Sequence, residues 1–174
     1  MRRSKFALLG LAAVALFPTT AAADDWDTCG KQSGDLAIAA CSRAIDSRRY
    51  MGQSLARLYT ARGVAYQAKG DLDSAMADFD ESMRVDPKYA RAYTTRGVNW
   101  YRKGNLDRAM ADFDEAIRLN PEYAPAYLAR GIAWEIKHGL QEALADFKMY
   151  SQLAPSDPKG SEALERVMKK LSAR

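Results

Sequence analysis

The sequence predicts an all-α protein, a stacked array of two-helix units closed by a final helix. Three observations lead there. Residue types recur at intervals of 34 in three successive copies. Within each copy, aromatic and small residues fall at i, i+4 and i+7, one face of an α-helix. A proline stands at the same place near the end of each copy, at Pro87, Pro121 and Pro155. A period in this range marks a stack in which each unit buries its apolar face only against its neighbours.

Taken from the N-terminus, residues 1–23 read as a leader peptide. Arg2, Arg3 and Lys5 form a positive start, and Phe6 to Phe17 is an apolar run of twelve residues. Pro18 ends the run, and Ala21-Ala22-Ala23 supplies the small residues of a cleavage site after Ala23. As a helix the run rises about 18 Å, short of a hydrocarbon core of roughly 30 Å. Cleavage and export are therefore expected, with no membrane insertion afterwards. Cys29 follows Trp26-Asp27-Thr28 and is not placed as a lipidated first residue.

The leader carries three basic residues and no acidic one. Beyond it stand 23 basic against 22 acidic residues, so the formal net charge of +4 falls to +1. The sequence pI near 9.1 thus belongs largely to the precursor. No Lys/Arg run remains to track a phosphate backbone, and nucleic acid is excluded as a partner.

The repeated units begin around residue 56. Tyr59, Gly63 and Tyr66 share one face of a first helix, and Ala75, Phe79 and Ser82 or Met83 share one face of a second. Lys69-Gly70-Asp71 turns the chain between them, as Lys103-Gly104-Asn105 does in the next unit. The second helix stops before Asp86-Pro87, because proline disfavours α conformation in the residue before it. Gly63 and Ala75 are small because helices packed 8–10 Å apart leave little room where their axes come closest.

In the middle unit Tyr93, Gly97, Trp100, Ala109, Phe113, Ala116 and Pro121 resemble the tetratricopeptide repeat, residue type by residue type. The first unit has Ser82 where the pattern has Ala. The third has Tyr150 there and His138-Gly139 at the turn, and the larger tyrosine is expected to face whatever caps the array. The resemblance covers residues 56–157 and implies a right-handed superhelix, with repeats at 56–89, 90–123 and 124–157.

The flanks are read in the same frame. Residues 24–55 are a degenerate leading repeat, four residues longer in its connection, with Ala37, Cys41 and Ala44 at the small–aromatic–small positions. Residues 158–174 form a capping helix: Asp157-Pro158 starts it, and Leu164, Val167, Met168 and Leu171 make its apolar stripe. Cys29 and Cys41, twelve apart in an exported chain, are expected to form a disulfide. There is no Cys-x-x-Cys and no adjacent His to make them redox-active.

The arginines Arg62, Arg96 and Arg130 and the aspartates Asp78, Asp112 and Asp146 recur in step. They are expected to pair as a ladder linking helices within or between repeats. The clusters Asp78, Asp80, Glu81 and Asp112, Asp114, Glu115 lack the loop glycine of a calcium site and lie mid-helix. Asp80 with Arg84 and Asp114 with Arg118 read as i, i+4 pairs on a solvated face. His138, the sole histidine, is a turn residue; no Ser or Cys has a His at catalytic spacing, and no Gly-rich phosphate loop occurs. No catalytic residue, metal site or cofactor is expected, and the chain is not read as an enzyme.

In the family the first helices line a concave surface. Inward positions counted from each glycine are Arg57, Thr60, Val64 and Gln67; then Arg91, Thr94, Val98 and Tyr101; then Leu128, Ile132 and Glu135. An apolar floor with arginines toward one end suits a peptide whose apolar side chains dock while polar groups fix its direction. One subset of the family grips a terminal carboxylate with Lys, Asn and Arg. Here those positions hold Thr60, Val64, Thr95, Pro125 and Ala129, so that grip is absent. The expected protein is a non-catalytic scaffold or adaptor of bacterial type, periplasmic or secreted, that binds a protein or peptide partner. The alternative is a self-associating component of an envelope assembly, a homo-oligomer.

Overall fold

The computed structural model describes residues 21–173. The expected leader lies outside the described residues, apart from Ala21–Ala23, whose backbone opens the first helix. Among the described residues there are only helices and turns. In chain order they are α1 (Ala21–Lys31), α2 (Gly34–Asp46), α3 (Gly52–Ala68), α4 (Leu72–Val85) and α5 (Ala90–Arg102). They continue with α6 (Leu106–Leu119), α7 (Ala124–Ile136), α8 (Leu140–Leu153) and α9 (Pro158–Ser172).

Each odd helix packs against the even helix that follows it, and each pair packs on the next, in a right-handed superhelix of helix pairs. The odd helices α1, α3, α5 and α7 also touch one another in succession and form the inner layer. Pairing is tight because of one recurrent contact. Phe79, Phe113 and Phe147 on α4, α6 and α8 are at most 2% exposed and press against Gly63, Gly97 and Gly131 on α3, α5 and α7. Ala75, Ala109 and Ala143, all wholly buried, let the axes approach one turn away. Tyr66, Trp100 and Trp134 fill the space between successive pairs, each half-buried against these clusters.

The turns follow local chemistry. Gly70 and Gly104 adopt positive φ, +84° and +79°, a conformation that costs glycine nothing. Asp71 and Asn105 then cap α4 and α6 by accepting from the backbone N–H of Ser74 and Arg108. In the third unit His138 takes the left-handed position itself at φ +61°, and Gly139 at the cap offers no side chain. His138 is thus a turn residue.

The four extra residues of the leading repeat do not lengthen a loop. They form an additional first turn of α3, which has 17 residues against 13 in α5 and in α7. The helix therefore starts at Gly52 rather than near residue 56. Cys29 and Cys41, both nearly inaccessible, are joined by a disulfide that ties α1 to α2. At the other end Tyr150 faces the cap, as its size suggests. Its hydroxyl donates to Asp157 Oδ2 at 2.6 Å, while Asp157 Oδ1 accepts from the Lys159 N–H at the start of α9. Val167 and Ala163 of α9 close the last core cluster over Phe147 and Leu140.

The arginine–aspartate ladder exists and does both of its possible jobs at once. Arg96 makes a two-pronged contact with Asp112 on the partner helix, Nε to Oδ2 at 2.9 Å and Nη2 to Oδ1 at 2.7 Å. Its third nitrogen, Nη1, reaches back to Asp80 of the preceding repeat at 2.8 Å. Arg130 repeats this with Asp146 and Asp114. Arg62 grips Asp78 in the same way and finds Ser42 Oγ, 38 residues before Asp80, in place of the second carboxylate. Hydrogen bonding to Asp112 and Asp146, opposed by burial, holds the Arg96 and Arg130 guanidinium groups well above their ordinary pKa. Each arginine also lies over the tyrosine one turn before it, with Arg96 5.9 Å from the Tyr93 ring centre.

This geometry corrects the expected surface pairs. Asp80 and Asp114 are taken by Arg96 and Arg130, so Arg84 and Arg118 turn instead to Glu81 and Glu115, three residues before them. A second, exposed ladder runs beside the first: Lys69, Lys103 and Lys137 pair with Asp35, Asp73 and Asp107 of the preceding repeat.

Candidate functional site

The inner layer presents a concave face, and its chemistry changes along its length. Toward the C-terminal end, α5 and α7 border a groove of about 330 Å³ lined by Thr94, Val98, Tyr101, Leu128 and Ile132. Pro125, Ala129 and Ala133 of α7 complete its walls, and Phe113 lies at its base. Tyr101 and Ile132 remain 45% and 41% exposed within it. Apolar surface left open in a concavity is what a ligand covers.

Toward the N-terminal end, α1 supplies Trp26, and a second pocket of about 180 Å³ forms among Trp26, Cys29, Gly30, Arg57, Leu58, Ala61, Tyr89 and Arg91. The Arg57 guanidinium lies 5.5 Å from the Trp26 ring centre, and Trp26 stacks on Tyr50 at 4.9 Å. Stacking of this kind orders a long cationic side chain without neutralising it. The exposed Arg91 forms no ion pair with any described residue.

Not every expected inward residue reaches open surface. Thr60 is 1% exposed, and its hydroxyl is 2.8 Å from Ser82 Oγ, which also donates to the Ala56 carbonyl. Thr60 therefore serves the α3–α4 contact, because Ser82 in place of alanine needs a polar partner once buried. Gln67 is buried as well; its amide donates to Asn99 Oδ1 at 3.3 Å and ties α3 to α5. Thr94 is 6% exposed and gives its hydroxyl to the Ala90 carbonyl, leaving its methyl toward the groove. Val64, half-buried, lines a further pocket together with Arg91.

Glu135 stands at the far end and is occupied. Arg166 and Lys170 of α9 hold its two oxygens at 2.7 and 3.0 Å. Burial pushes its carboxyl up, but the two cations together outweigh that and leave it below the usual carboxylate range. Among the described residues no group of His, Cys, Asp and Glu is arranged to hold a metal ion. No described helix is long and apolar enough to cross a membrane.

Sequence reasoning did not reach Trp26 or Tyr89. Both lie outside the recurring inward positions, one in the irregular leading repeat and one in the residue before α5. Phe113 was read as a packing residue and not as a groove wall, and Ala133 was not reached at all.

The tetratricopeptide-repeat family model matches residues 60–124 and 101–158. Among solved structures, the first such domain of Spaghetti (RPAP3), bound to the HSP90 peptide SRMEEVD, is similar. It is 25% identical with a TM-score of 0.65, covering 71% of this chain and 98% of that one. The first domain of human RPAP3 is 26% identical with a TM-score of 0.66, covering 70% and 96%. The Arabidopsis OM64 domain, at 23% identity and a TM-score of 0.62 over 67% and 97%, shares the fold. No curated protein matches the chain in sequence.

Proposed function

The chain belongs to the tetratricopeptide-repeat family, and we propose that it is an exported protein-interaction module that holds a partner's peptide segment in its concave groove without chemistry. The observation that carries this reading is the open apolar pocket between α5 and α7, where Val98, Tyr101, Leu128 and Ile132 converge on a rigid inner layer. A groove lined by one helix face of each repeat offers anchor sites at fixed spacing, the arrangement a peptide needs to bind in one register. The Spaghetti domain bound to an HSP90 peptide supports peptide recognition by this fold. Export, by a leader of bacterial type into the periplasm or medium, rests on residues 1–23 and agrees with a buried disulfide between the two cysteines.

The test is a paired pull-down from periplasmic extract, with the chain from Asp24 as bait beside a Val98→Glu/Tyr101→Ala variant, after circular dichroism shows that both fold. A partner captured by the first and lost by the second supports the reading. Identical captures move the functional surface elsewhere.

A second reading is self-association in an envelope assembly. Leu36 and Met51 at the N-terminal end and Met168 on α9 are 66%, 81% and 52% exposed, apolar side chains outside the groove at both ends of the stack. Light scattering decides it, because a strict monomer at high concentration removes end-to-end assembly.

A further inference from the structure

Charge is distributed unevenly between the two layers. Of the inner helices, α3, α5 and α7 contain the arginines 57, 62, 91, 96, 102 and 130 and a single carboxylate, Glu135, while α1 adds the aspartates 24, 25 and 27, of which Asp25 is held by Arg43 and Asp27 by Lys31. Glu135 is engaged by Arg166 and Lys170 of the cap. Arg62, Arg96 and Arg130 are consumed by the aspartates of the outer helices. Arg102 donates to the Gln67 carbonyl at 2.8 Å. That leaves Arg57 and Arg91, both exposed, converging on one pocket without a carboxylate. Trp26 and Tyr89 wall that pocket, and a charge pair gains strength where a bound segment displaces water from it.

Resting on the groove-binding reading, we propose that the bound segment is acidic: one or two Asp or Glu side chains enter the Arg57–Arg91 pocket beneath Trp26 while an apolar side chain fills the pocket of Val98, Tyr101, Leu128 and Ile132. The planar guanidinium groups suit carboxylates, which they can meet with two parallel hydrogen bonds. Arg57 is already ordered by its stack on Trp26, so little of its freedom is lost on binding. The two pockets lie between one and two helix spacings apart along the inner layer, roughly 10–20 Å. About three to six residues of extended chain cover that span. The recognised feature is thus an acidic residue separated by a few positions from a large aliphatic or aromatic one. The carboxylate belongs to a side chain, not to a chain terminus.

The probe is a display library of random dodecapeptides presented internally, with neither end free, selected on the chain produced from its own precursor. Arg57→Glu/Arg91→Glu and Val98→Glu variants are selected in parallel, each checked by circular dichroism. The expected result is enrichment of Asp or Glu a few positions from an apolar anchor, with affinity for those clones falling about tenfold or more on charge reversal and with added salt. Where reversal disturbs folding, Arg57→Gln/Arg91→Gln keeps the side chains long and must weaken the same clones. Apolar clones without acidic residues, indifferent to charge reversal, overturn the proposal and leave the groove reading standing. Clones indifferent to Val98→Glu, or no specific clones, overturn both. A concentration-dependent dimer broken by charge reversal makes the occupant a second copy of this chain and also overturns the proposal.

Discussion

Phe113 lies so close to Gly97 that a Cβ on the glycine would stand 2.5 Å from Phe113 Cε1, and 3.1 Å from the Ala109 carbonyl. The same contact recurs at Gly63 with Phe79 and at Gly131 with Phe147. Each phenylalanine is too deeply buried to move aside, so one hydrogen atom at these positions sets how near the two helices of a repeat can come.

Gly97→Ala is therefore expected to destabilise the fold by about 1–3 kcal/mol through overpacking, although alanine is the better helix former. Gly30, also helical but with nothing within 4 Å of a Cβ, is the contrast. Gly30→Ala is expected to be stabilising by up to about 1 kcal/mol. Thermal melts of the two variants moving in opposite directions would establish the steric account; parallel shifts would sink it.

Arg96 should respond differently to the loss of its two partners. Asp112 is 5% exposed and receives the two-pronged contact, so Asp112→Asn leaves a guanidinium under-neutralised in a mostly buried setting and should cost about 3 kcal/mol. Asp80 meets the outer nitrogen at the surface, and Asp80→Asn should cost less than about 1 kcal/mol. Urea unfolding of both variants measures the difference. If Arg96→Leu left stability unchanged and abolished partner binding, the ladder would have to be reread as a binding row.

His138 holds a left-handed backbone conformation that Gly70 and Gly104 supply in the other turns. His138→Gly should relieve about 1 kcal/mol of strain and raise the melting temperature. A lower melting temperature would mean that the imidazole contributes contacts outweighing that strain.

The cap should loosen at both extremes of pH. Glu135 has a folded pKa below its unfolded one, so its contribution is complete above the ordinary carboxylate range and disappears as pH falls through the lower folded value. Tyr150 is the opposite case: burial, followed by its bond to Asp157, raises it to about 12. Its contribution is whole below the ordinary tyrosine value near 10 and is lost as pH rises toward 12. Glu135→Gln should flatten the acid side of a melting-temperature profile, and Tyr150→Phe should remove a late step from the tyrosinate absorbance titration. An unchanged profile in either variant would refute the corresponding assignment.

Removal of the disulfide should free the first helix. Replacing Cys29 and Cys41 by alanine opens a loop of twelve residues and should cost about 3 kcal/mol in the chain-entropy model. Limited proteolysis should then cut within α1 before the repeats, and the pocket beneath Trp26 should lose its wall. Proteolysis that remains unchanged would show that the other contacts of α1, among them the Trp26–Tyr50 stack and the Asp25–Arg43 pair, hold the helix without the disulfide.

Much of this architecture was legible in the chain itself. The 34-residue recurrence, the glycine and alanine at close approaches, the prolines ending the second helices and the two cysteines follow from local rules, because helix periodicity and backbone restriction act over a few residues. Neighbour-dependent choices were not legible. Whether Asp80 turns to Arg84 on its own helix or to Arg96 in the next repeat depends on how far one repeat is rotated on another, and the structure chose Arg96. Thr60 faces the α3–α4 contact rather than the concave surface because Ser82, 22 residues on, needs a partner, and Trp26 closes a pocket with Arg91, 65 residues on, because a disulfide lays α1 on the stack. Spacing along the chain sets which faces are apolar, but the packing of helix on helix decides which polar group meets which, and therefore where the concave face stays open.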